Sequence, residues 1–254
     1  MKSGVMVQSI ERAISIINCF SKDRPQLRLR DIADELQLNK STVHGILNTL
    51  KHYGYLDQDE ETQKYRLGLK LVEIGNQVLN SLELRSVATP IIKGVSGKTG
   101  ETVHMVILDG WDVVYIDKAE SSQSMRITTD IGSRYSAHCT GVGKALLAYK
   151  SREELMKILP DKLERLTEQT ITDKEELIAH LQEVYQRGYA IDDEENAEGL
   201  RCVAAPIFDH RGKAVAAISV AGPSVRITKE RIGGFVAIIR EAAVQISVRL
   251  GYHP

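Results

Sequence analysis

The polar side chains between Lys40 and Lys51 suit contact with a polyanion. This stretch, KSTVHGILNTLK, has apolar residues at helical spacing and contains no aspartate or glutamate. Solvated helix faces usually mix both signs of charge, so the absence of acids distinguishes this face. Hydroxyls and free amides at a helix N-terminus can meet phosphate oxygens, and polar side chains one turn apart can reach base edges. The pattern predicts DNA contacts from Lys40, Ser41, Thr42, His44, Asn48 and Lys51.

More cations follow in the segment YLDQDEETQKYRL, which indicates two short strands around an acidic turn. Lys64 and Arg66 alternate there with Tyr65 and Leu67, so both cations are expected on one strand face. A positive strand beside an acid-free helix is typical of a winged DNA-binding domain. We therefore add Lys64 and Arg66 to the predicted DNA contacts.

The residues before this helix have the spacing of a helix-turn-helix unit. Apolar side chains where two helices cross, and a small residue at their closest approach, are what such a unit needs. Gln37 stands in the turn, where glycine is common, and a left-handed backbone at this residue would cost roughly 1 kcal/mol or more. A plain helical hairpin in a core, or a winged helix used only for protein contact, stays an alternative. The apolar positions are Ile32, Leu36, Leu38, Val43 and Ile46, and the small one is Ala33.

Composition allows this interpretation without demanding it. The 254 residues suffice for two domains, but the net charge is −1, and residues 1–69 hold 10 Lys/Arg against 9 Asp/Glu. Any nucleic-acid partner must be inferred from where the charges lie. Three scattered cysteines suit a reducing compartment. Met1–Gln8 resembles no signal peptide, and no apolar run spans a membrane, so we expect the cytoplasm and no membrane partner.

The glycine-rich segment HCTGVGKALLA (138–148) invites comparison with a phosphate-binding loop. It fails because His138 replaces the first glycine and Ala145 replaces the metal-binding hydroxyl. A glycine-rich entry to a helix, starting near Gly143, fits better, and its free amides suit a carboxylate.

Histidines and cysteines in this half raise two further possibilities, a zinc site and a Cys–His nucleophile pair. None has the close paired spacing of a structural zinc site, and a nucleophile needs an oriented base. Buried thiols are the default interpretation, and we expect no metal and no cofactor. The residues in question are His104, His138, Cys139 and Cys202.

Elements that position these groups can be assigned from periodicity. A helix over 69–84 carries apolar residues widely around its circumference, which predicts a linker and dimerisation helix. Beyond Pro90, strands and helices interleave with hairpins such as the one at Asp109-Gly110, which predicts an α/β domain with a mainly antiparallel sheet. The predicted helix caps are Ser9, Ser151 with Glu154, Thr172 with Glu175, and Thr228.

The motifs together resemble the IclR family of bacterial regulators. QSIERAISII, DIADELQLNKSTV, ILNTL and GYLDQDEETQKYRLGLKLVEIG are similar to its DNA-binding half. The resemblance implies a dimer or a tetramer on a palindrome, with the third helix in the major groove. Two positions depart from the family pattern: Gly45 stands where many members have arginine, and Gln63 where the wing turn often has glycine.

The second half resembles the same family through GYAIDDEENAEGLRCVAAPIFD (188–209) and AAISVAGPSVRIT. The resemblance implies a GAF-like domain that binds a small carboxylated metabolite, such as a sugar acid, a 2-oxo acid or an aromatic acid. Ala221 replaces a serine of some members, which hints at a different or larger ligand. The binding residues that the resemblance implies are Tyr135, Gly141, Val142, Asp192, Cys202, Ser219 and Ala221.

The expected fold is α+β. It comprises a winged helix-turn-helix over residues 1–69, a linker and dimerisation helix over 70–84, and a GAF-like effector-binding domain over 85–254. The expected function is a ligand-responsive DNA-binding regulator, most simply a repressor, that is not an enzyme. The alternatives are an enzyme dependent on Cys202 and a winged-helix module for protein contact.

Overall fold

The structure, a computed structural model, describes residues 6–81 and 83–253, with no side-chain placement at 79–81 and 83. The expectations for Met1–Val5, and for the side chains at 79–83 of the linker helix, lie outside the described residues. The chain forms two compact units, Met1–Ser81 and Leu82–Pro254.

The first unit is built from helices and one hairpin. Its core contains apolar side chains from both helices of the predicted helix-turn-helix, including Ile32, Val43 and Leu47. Residue Leu27 bridges to Tyr65 and ties the start of the second helix to the hairpin. The prediction of a helix-turn-helix followed by a two-stranded wing is confirmed. The elements are α1 (Gln8–Asn18), α2 (Leu29–Leu36), α3 (Lys40–His52), β1 (Leu56–Gln58), β2 (Tyr65–Leu67) and α4 (Lys70–Ser81).

The turn between α2 and α3 has a left-handed backbone at Gln37, where glycine is common in such turns. Gln37 has φ 52° and ψ 40°, and the amide of Leu38 donates to the carbonyl of Ala33 at 3.0 Å. Gln63, where the family often has glycine, also has a positive φ of 57°. Both glutamines therefore hold conformations that glycine adopts more easily.

Gln37→Gly is expected to raise the free energy of unfolding by about 1 kcal/mol, because it removes the clash of Cβ with the backbone. Chemical denaturation of the full chain measures this. Gln37→Ala keeps Cβ and serves as the control, with little expected change. A loss of stability in Gln37→Gly would contradict the strain argument.

The second unit is a six-stranded antiparallel sheet with helices packed against it. The strand order is β5-β4-β3-β8-β7-β6. The predicted hairpin at Asp109-Gly110 joins β3 to β4, and Gly110 has the positive φ of its turn. The mainly antiparallel sheet is confirmed. The elements are α5 (Glu83–Thr99), β3 (Thr102–Asp109), β4 (Asp112–Ala119), β5 (Arg134–Ser136), α6 (Gly141–Leu147), α7 (Arg152–Ile158), α8 (Lys174–Arg187), β6 (Ala190–Asp193), β7 (Leu200–Phe208), β8 (Ala214–Pro223) and α9 (Ile232–Arg249).

Helix α6 lies at the centre of this unit and is buried along its whole length. Its residues Val142, Ala145 and Leu146 pack with Ala204 and Ala217 of the sheet in one apolar cluster. The small sheet residues allow close approach of the helix. Gly143 is required as well, because a Cβ there would lie 2.2 Å from the carbonyl oxygen of Ala137.

Some predicted helix ends differ from the structure. The capping box at Ser151 and Glu154 is confirmed, but α8 is capped by Asp173, whose carboxylate accepts from the amide of Glu176 at 2.8 Å. The predicted cap at Thr172 is wrong by one residue, since its hydroxyl instead accepts from Arg165.

Two further boundaries were misplaced. Helix α1 begins at Gln8 after Val7, so Ser9 is no cap. Helix α9 begins at Ile232, because the carbonyl of Thr228 accepts from Arg231 and Ile232 in a preceding turn.

Helix α5 continues through Pro90, where the sequence suggested a change of structure. Within the described residues, no helix is both long enough and apolar enough to cross a membrane.

Candidate nucleic-acid interface and small-molecule cavity

The face of α3 that the sequence singled out is open to solvent. Val43 and Leu47 have 0% exposure on the opposite face, and they anchor the helix to α1 and α2. Because the apolar side of the helix is packed inside the unit, the polar side is presented outward. The predicted contact residues Lys40, Ser41, His44, Asn48 and Lys51 are exposed, and Thr42 is half-buried.

Contacts between neighbours order part of this face. The amide of Asn48 lies 3.3 Å from Nδ1 of His44, one turn earlier. The ammonium of Lys51 donates to Oε1 of Gln58 in β1 at 3.0 Å, which links the end of α3 to the wing. Lys40 and Ser41 stand at the helix start with no acid in the first turn.

The wing carries less free positive charge than the sequence suggested. Arg66 lies opposite Asp57 in the β1–β2 register, and its Nη2 is 2.5 Å from Oδ2 of Asp57. The hydrogen bond from Arg66 lowers the pKa of Asp57, so that carboxylate stays ionised and neutralises the arginine at neutral pH. Lys64 is half-buried before β2. The Arg66–Asp57 pair was not predicted, although a hairpin drawn through the acidic turn would have placed the two side chains opposite each other.

A cavity of about 920 Å³ lies in the second unit, between α6 and the edge of the sheet formed by β6, β7, β8 and β3. Six of the seven predicted binding residues line it together. Gly141 lies behind Cys202, since a Cβ on Gly141 would be 2.6 Å from the Cys202 sulfur. The six lining residues are Tyr135, Val142, Asp192, Cys202, Ser219 and Ala221.

Asp192 lies in the cavity wall, which also includes Glu198, and is 1% exposed. Its Oδ1 accepts from the amides of Glu195 at 2.8 Å and Asn196 at 3.3 Å. Burial raises the pKa of Asp192 to about 7, against the opposing charge of Lys144. Near neutral pH this group therefore exists in both protonation states.

The lysine of the glycine-rich segment is used inside the protein. Lys144 is fully buried and forms an ion pair with Glu195, which is 7% exposed. The rejection of a phosphate loop agrees with this geometry, because the ammonium is already paired. Spacing could not reveal the pair, since 51 residues separate its members.

The thiols of Cys139 and Cys202 are poor nucleophiles. Burial raises the pKa of Cys139 to about 12, and burial followed by the charge of Asp192 raises that of Cys202 still further. A thiol that stays protonated at neutral pH attacks slowly. Among the described residues, no group of three or more His, Cys, Asp or Glu is arranged to hold a metal.

Further residues line the cavity besides those predicted from the sequence. His104 on β3 and Tyr115 on β4 line it with the segment from Met125 to Thr129. The alternation of ETVHMVIL predicted a strand, but not which face would meet a cavity. His104 packs edge-on against Tyr115, with ring centroids 5.1 Å apart.

A winged helix-turn-helix with an open, acid-free third helix, joined to a unit with a large cavity, defines a class of protein: DNA-binding regulators that respond to a small molecule. Residues 9–60 match the IclR helix-turn-helix domain, and residues 76–248 match the domain described as bacterial transcriptional regulator IclR C-terminal. The chain belongs to the IclR family of bacterial transcriptional regulators.

Relatives match over nearly the full length. The chain is 37% identical over 248 residues to the HTH-type transcriptional regulator XynR of Escherichia coli (strain K12), covering 97% of this chain and 98% of that protein. It is 34% identical to the transcriptional repressor IclR of the same organism, covering 96% of this chain and 90% of that protein.

Solved structures agree in fold. A putative transcriptional regulator from Rhodococcus sp. RHA1 superimposes with a TM-score of 0.86 at 34% identity, over 96% of this chain and 98% of that chain. An IclR homologue from Microbacterium hydrocarbonoxydans, crystallised with 4-hydroxybenzoate, has a TM-score of 0.85 at 26% identity, over 95% of this chain and 98% of that chain.

Family membership decides between the alternatives left open by the sequence. The chain is a ligand-responsive, DNA-binding transcriptional regulator and not an enzyme. The Cys202-dependent enzyme is thereby set aside, as is a winged helix used only for protein contact.

Proposed function

We propose that the chain is a repressor that binds a palindromic operator through α3. The observation that carries this is the solvent-open, acid-free face from Lys40 to Lys51. Ser41 and Thr42 would contact phosphates at the start of the helix, and His44 and Asn48 would reach base edges. Lys64 and Arg66 of the wing would contact the DNA backbone. Arg66 would either leave Asp57 or bind Asp57 and a phosphate at the same time.

The test is binding of labelled duplexes taken from the region upstream of the chain's own gene, compared with a scrambled duplex. Specific binding should weaken steeply with salt, since each neutralised phosphate contributes a slope of about −0.9 in log K against log salt. Equal affinity for both duplexes would contradict operator recognition.

We propose that the cavity binds a small carboxylated metabolite: a sugar acid, a 2-oxo acid or an aromatic acid. Oδ1 of Asp192 is occupied by two amides, which leaves Oδ2 for a ligand. When protonated, this oxygen donates to a carboxylate. Tyr135, Val142, Cys202, Ser219 and Ala221 would shape the site, with Gly141 supporting Cys202.

Binding in the cavity would alter DNA affinity only if the ligand prefers one conformation of the protein. A ligand with equal affinity for the DNA-competent and DNA-incompetent states shifts neither. The proposed linker over 70–84 would carry this bias between the proposed domains 1–69 and 85–254. In the cell we propose a cytoplasmic location without a membrane partner, in keeping with a DNA ligand.

We further propose a homodimer, or a tetramer made from it. Ile10 and Ile14, one turn apart on α1, are 58% and 54% exposed. On α4, Val72 is 57% exposed, and Leu69 just before it is 82% exposed. Apolar helix faces open to water are typical of association sites. Two copies would place two recognition helices about 34 Å apart, as a palindrome requires.

The double variant Ile10→Asp, Ile14→Asp is expected to be monomeric and to lose most of its operator affinity. The paired charges would be buried without partners in the interface, while in the monomer they stay in water. Sedimentation velocity measures the mass, with Glu11→Gln on the same helix as the control. An unchanged assembly would exclude α1 from the interface.

A further inference from the structure

The wall of the cavity contains two polar side chains on neighbouring strands. His104 of β3 lies directly opposite Ser219 of β8 in the antiparallel register. Each is 2% exposed, and both line the cavity. Residues opposite each other on antiparallel strands have their side chains on the same face, so the imidazole and the hydroxyl are neighbours.

His104 has unused hydrogen-bonding capacity. Its Nε2 is enclosed and bonds to no described residue. The edge-on packing of Tyr115 fixes the ring without providing a partner. An unsatisfied buried polar atom is costly, and native proteins retain few unless water or a ligand completes them.

The imidazole is neutral at physiological pH. Burial lowers the pKa of His104 to about 4, and the charge of Lys118 adds to the effect. A neutral imidazole has one nitrogen that donates and one that accepts. A hydroxyl also donates and accepts, so it matches the Ser219 hydroxyl and the ring in either tautomer, whereas a carboxylate matches only the tautomer that carries the proton on Nε2.

The distance from Asp192 limits the size of the ligand. Asp192 lies on β6 and His104 on β3, three strands apart in the order β3-β8-β7-β6. Adjacent strands are about 4.8 Å apart, and Asp192 is in register with Thr102, two residues of about 3.3 Å each from His104, so the two backbones are separated by about 16 Å. The side chains of Asp192 and His104 take up part of this separation. Roughly half of it is left for a ligand that touches both side chains.

The geometry points to a hydroxyl-recognition subsite at His104 and Ser219, and hence to a hydroxylated carboxylate about six atoms long as the effector. This inference rests on the proposed function of the cavity, with the carboxylate at Asp192. Of the proposed classes, it selects sugar acids and hydroxylated aromatic acids, and it excludes 2-oxo acids of two or three carbons. His104 is then a specificity-determining residue.

Matched probe pairs test the subsite in the full-length protein. The pairs are 4-hydroxybenzoate with benzoate and gluconate with hexanoate, and pyruvate serves as the short acid. Calorimetric titration is expected to show that the wild type binds a hydroxylated member at least about tenfold more tightly than its partner and than pyruvate. His104→Phe is expected to bring the ratio within a pair close to one.

The matched control is His180→Phe. His180 also has an enclosed Nε2 without a partner, but it does not line the cavity. It should keep the preference for the hydroxylated member. His104→Leu replaces His104→Phe if the latter fails to give a cooperative melting curve.

The inference is overturned if no hydroxylated probe binds, if wild type shows no preference within the pairs, if pyruvate binds as tightly, or if the preference survives loss of the imidazole. Operator binding is measured on the same samples. Operator release by carboxylates without hydroxyl preference defeats the subsite alone, and failure to bind operator defeats the proposed function.

Discussion

Lys40→Glu is expected to lower the affinity of the full-length protein for operator DNA by about a hundredfold or more near physiological salt. Lys40 is exposed at the first position of α3, where the helix start and its free amides favour an anion. The substitution removes one phosphate contact from each copy and places a carboxylate against the phosphates instead. In a dimer both half-sites suffer, and the salt slope becomes shallower by about two contacts.

Fluorescence anisotropy with a labelled operator measures the affinity across a salt series. Lys162→Glu makes the same charge change at an exposed position of the second unit and is the matched control. Thr42→Asp, which adds a negative charge two residues further along α3, should give a similar loss. If Lys40→Glu binds operator like the control, α3 does not contact DNA.

The first unit could be predicted well because each inference rested on local physics. Helical periodicity located α2 and α3 close to their observed bounds, and Gln37, in the turn position where glycine is common, has the left-handed backbone. Alternation around an acidic turn gave β1 and β2. These signals lie within a few residues of one another, so no knowledge of tertiary contacts was needed.

What the sequence could not supply is pairing between distant residues. Lys144 and Glu195 are brought together by the packing of α6 on the sheet, and nothing in HCTGVGKALLA marks its lysine as an internal counter-ion. His104 looked like one histidine of a possible metal set until the register of β3 and β8 placed it in the cavity wall.

Errors at helix ends have a different cause. Thr172 and Asp173 are adjacent, both can cap, and the choice depends on a turn that the local sequence does not fix. Pro90 lies inside α5, where its missing amide would ordinarily end a helix. The energy difference between adjacent caps such as Thr172 and Asp173 is small, so tertiary packing determines which of them caps the helix.

The residues of the cavity and the exposed residues of α3 differ in how strongly they affect the stability of the fold. The polar side chains of α3 are exposed and can be changed without loss of packing, whereas Asp192 is enclosed in the second unit. Burying an ionised carboxylate is unfavourable, so retaining Asp192 has a cost that a hydrophobic or amide residue would avoid. Functional sites commonly carry such costs.

Asp192→Asn is therefore expected to stabilise the protein at pH 8 by about 2–4 kcal/mol and to change it little below pH 4. The pKa of Asp192 is raised by burial to about 7, so between about pH 4 and pH 7 the folded state holds a proton that the unfolded state releases. The free energy of unfolding of the wild type then falls as pH rises through this window. The asparagine variant has no proton to lose at this position, so this pH dependence is absent from it.

Chemical denaturation at several pH values measures the effect, and Asp193→Asn is the control of opposite sign. Burial alone would raise the pKa of Asp193, but hydrogen bonds from Arg201 and Lys229 outweigh it and lower the pKa. That carboxylate stabilises the fold above its unfolded pKa, and its contribution is lost as pH falls.

The same reasoning predicts that wild-type affinity for a carboxylate ligand falls as pH rises through about 7, because ionised Asp192 repels the ligand. Asp192→Asn is expected to bind with little dependence on pH. Equal pH dependence of stability in wild type and Asp192→Asn would mean that Asp192 is ionised throughout, and that a carboxylate ligand must bind elsewhere in the cavity.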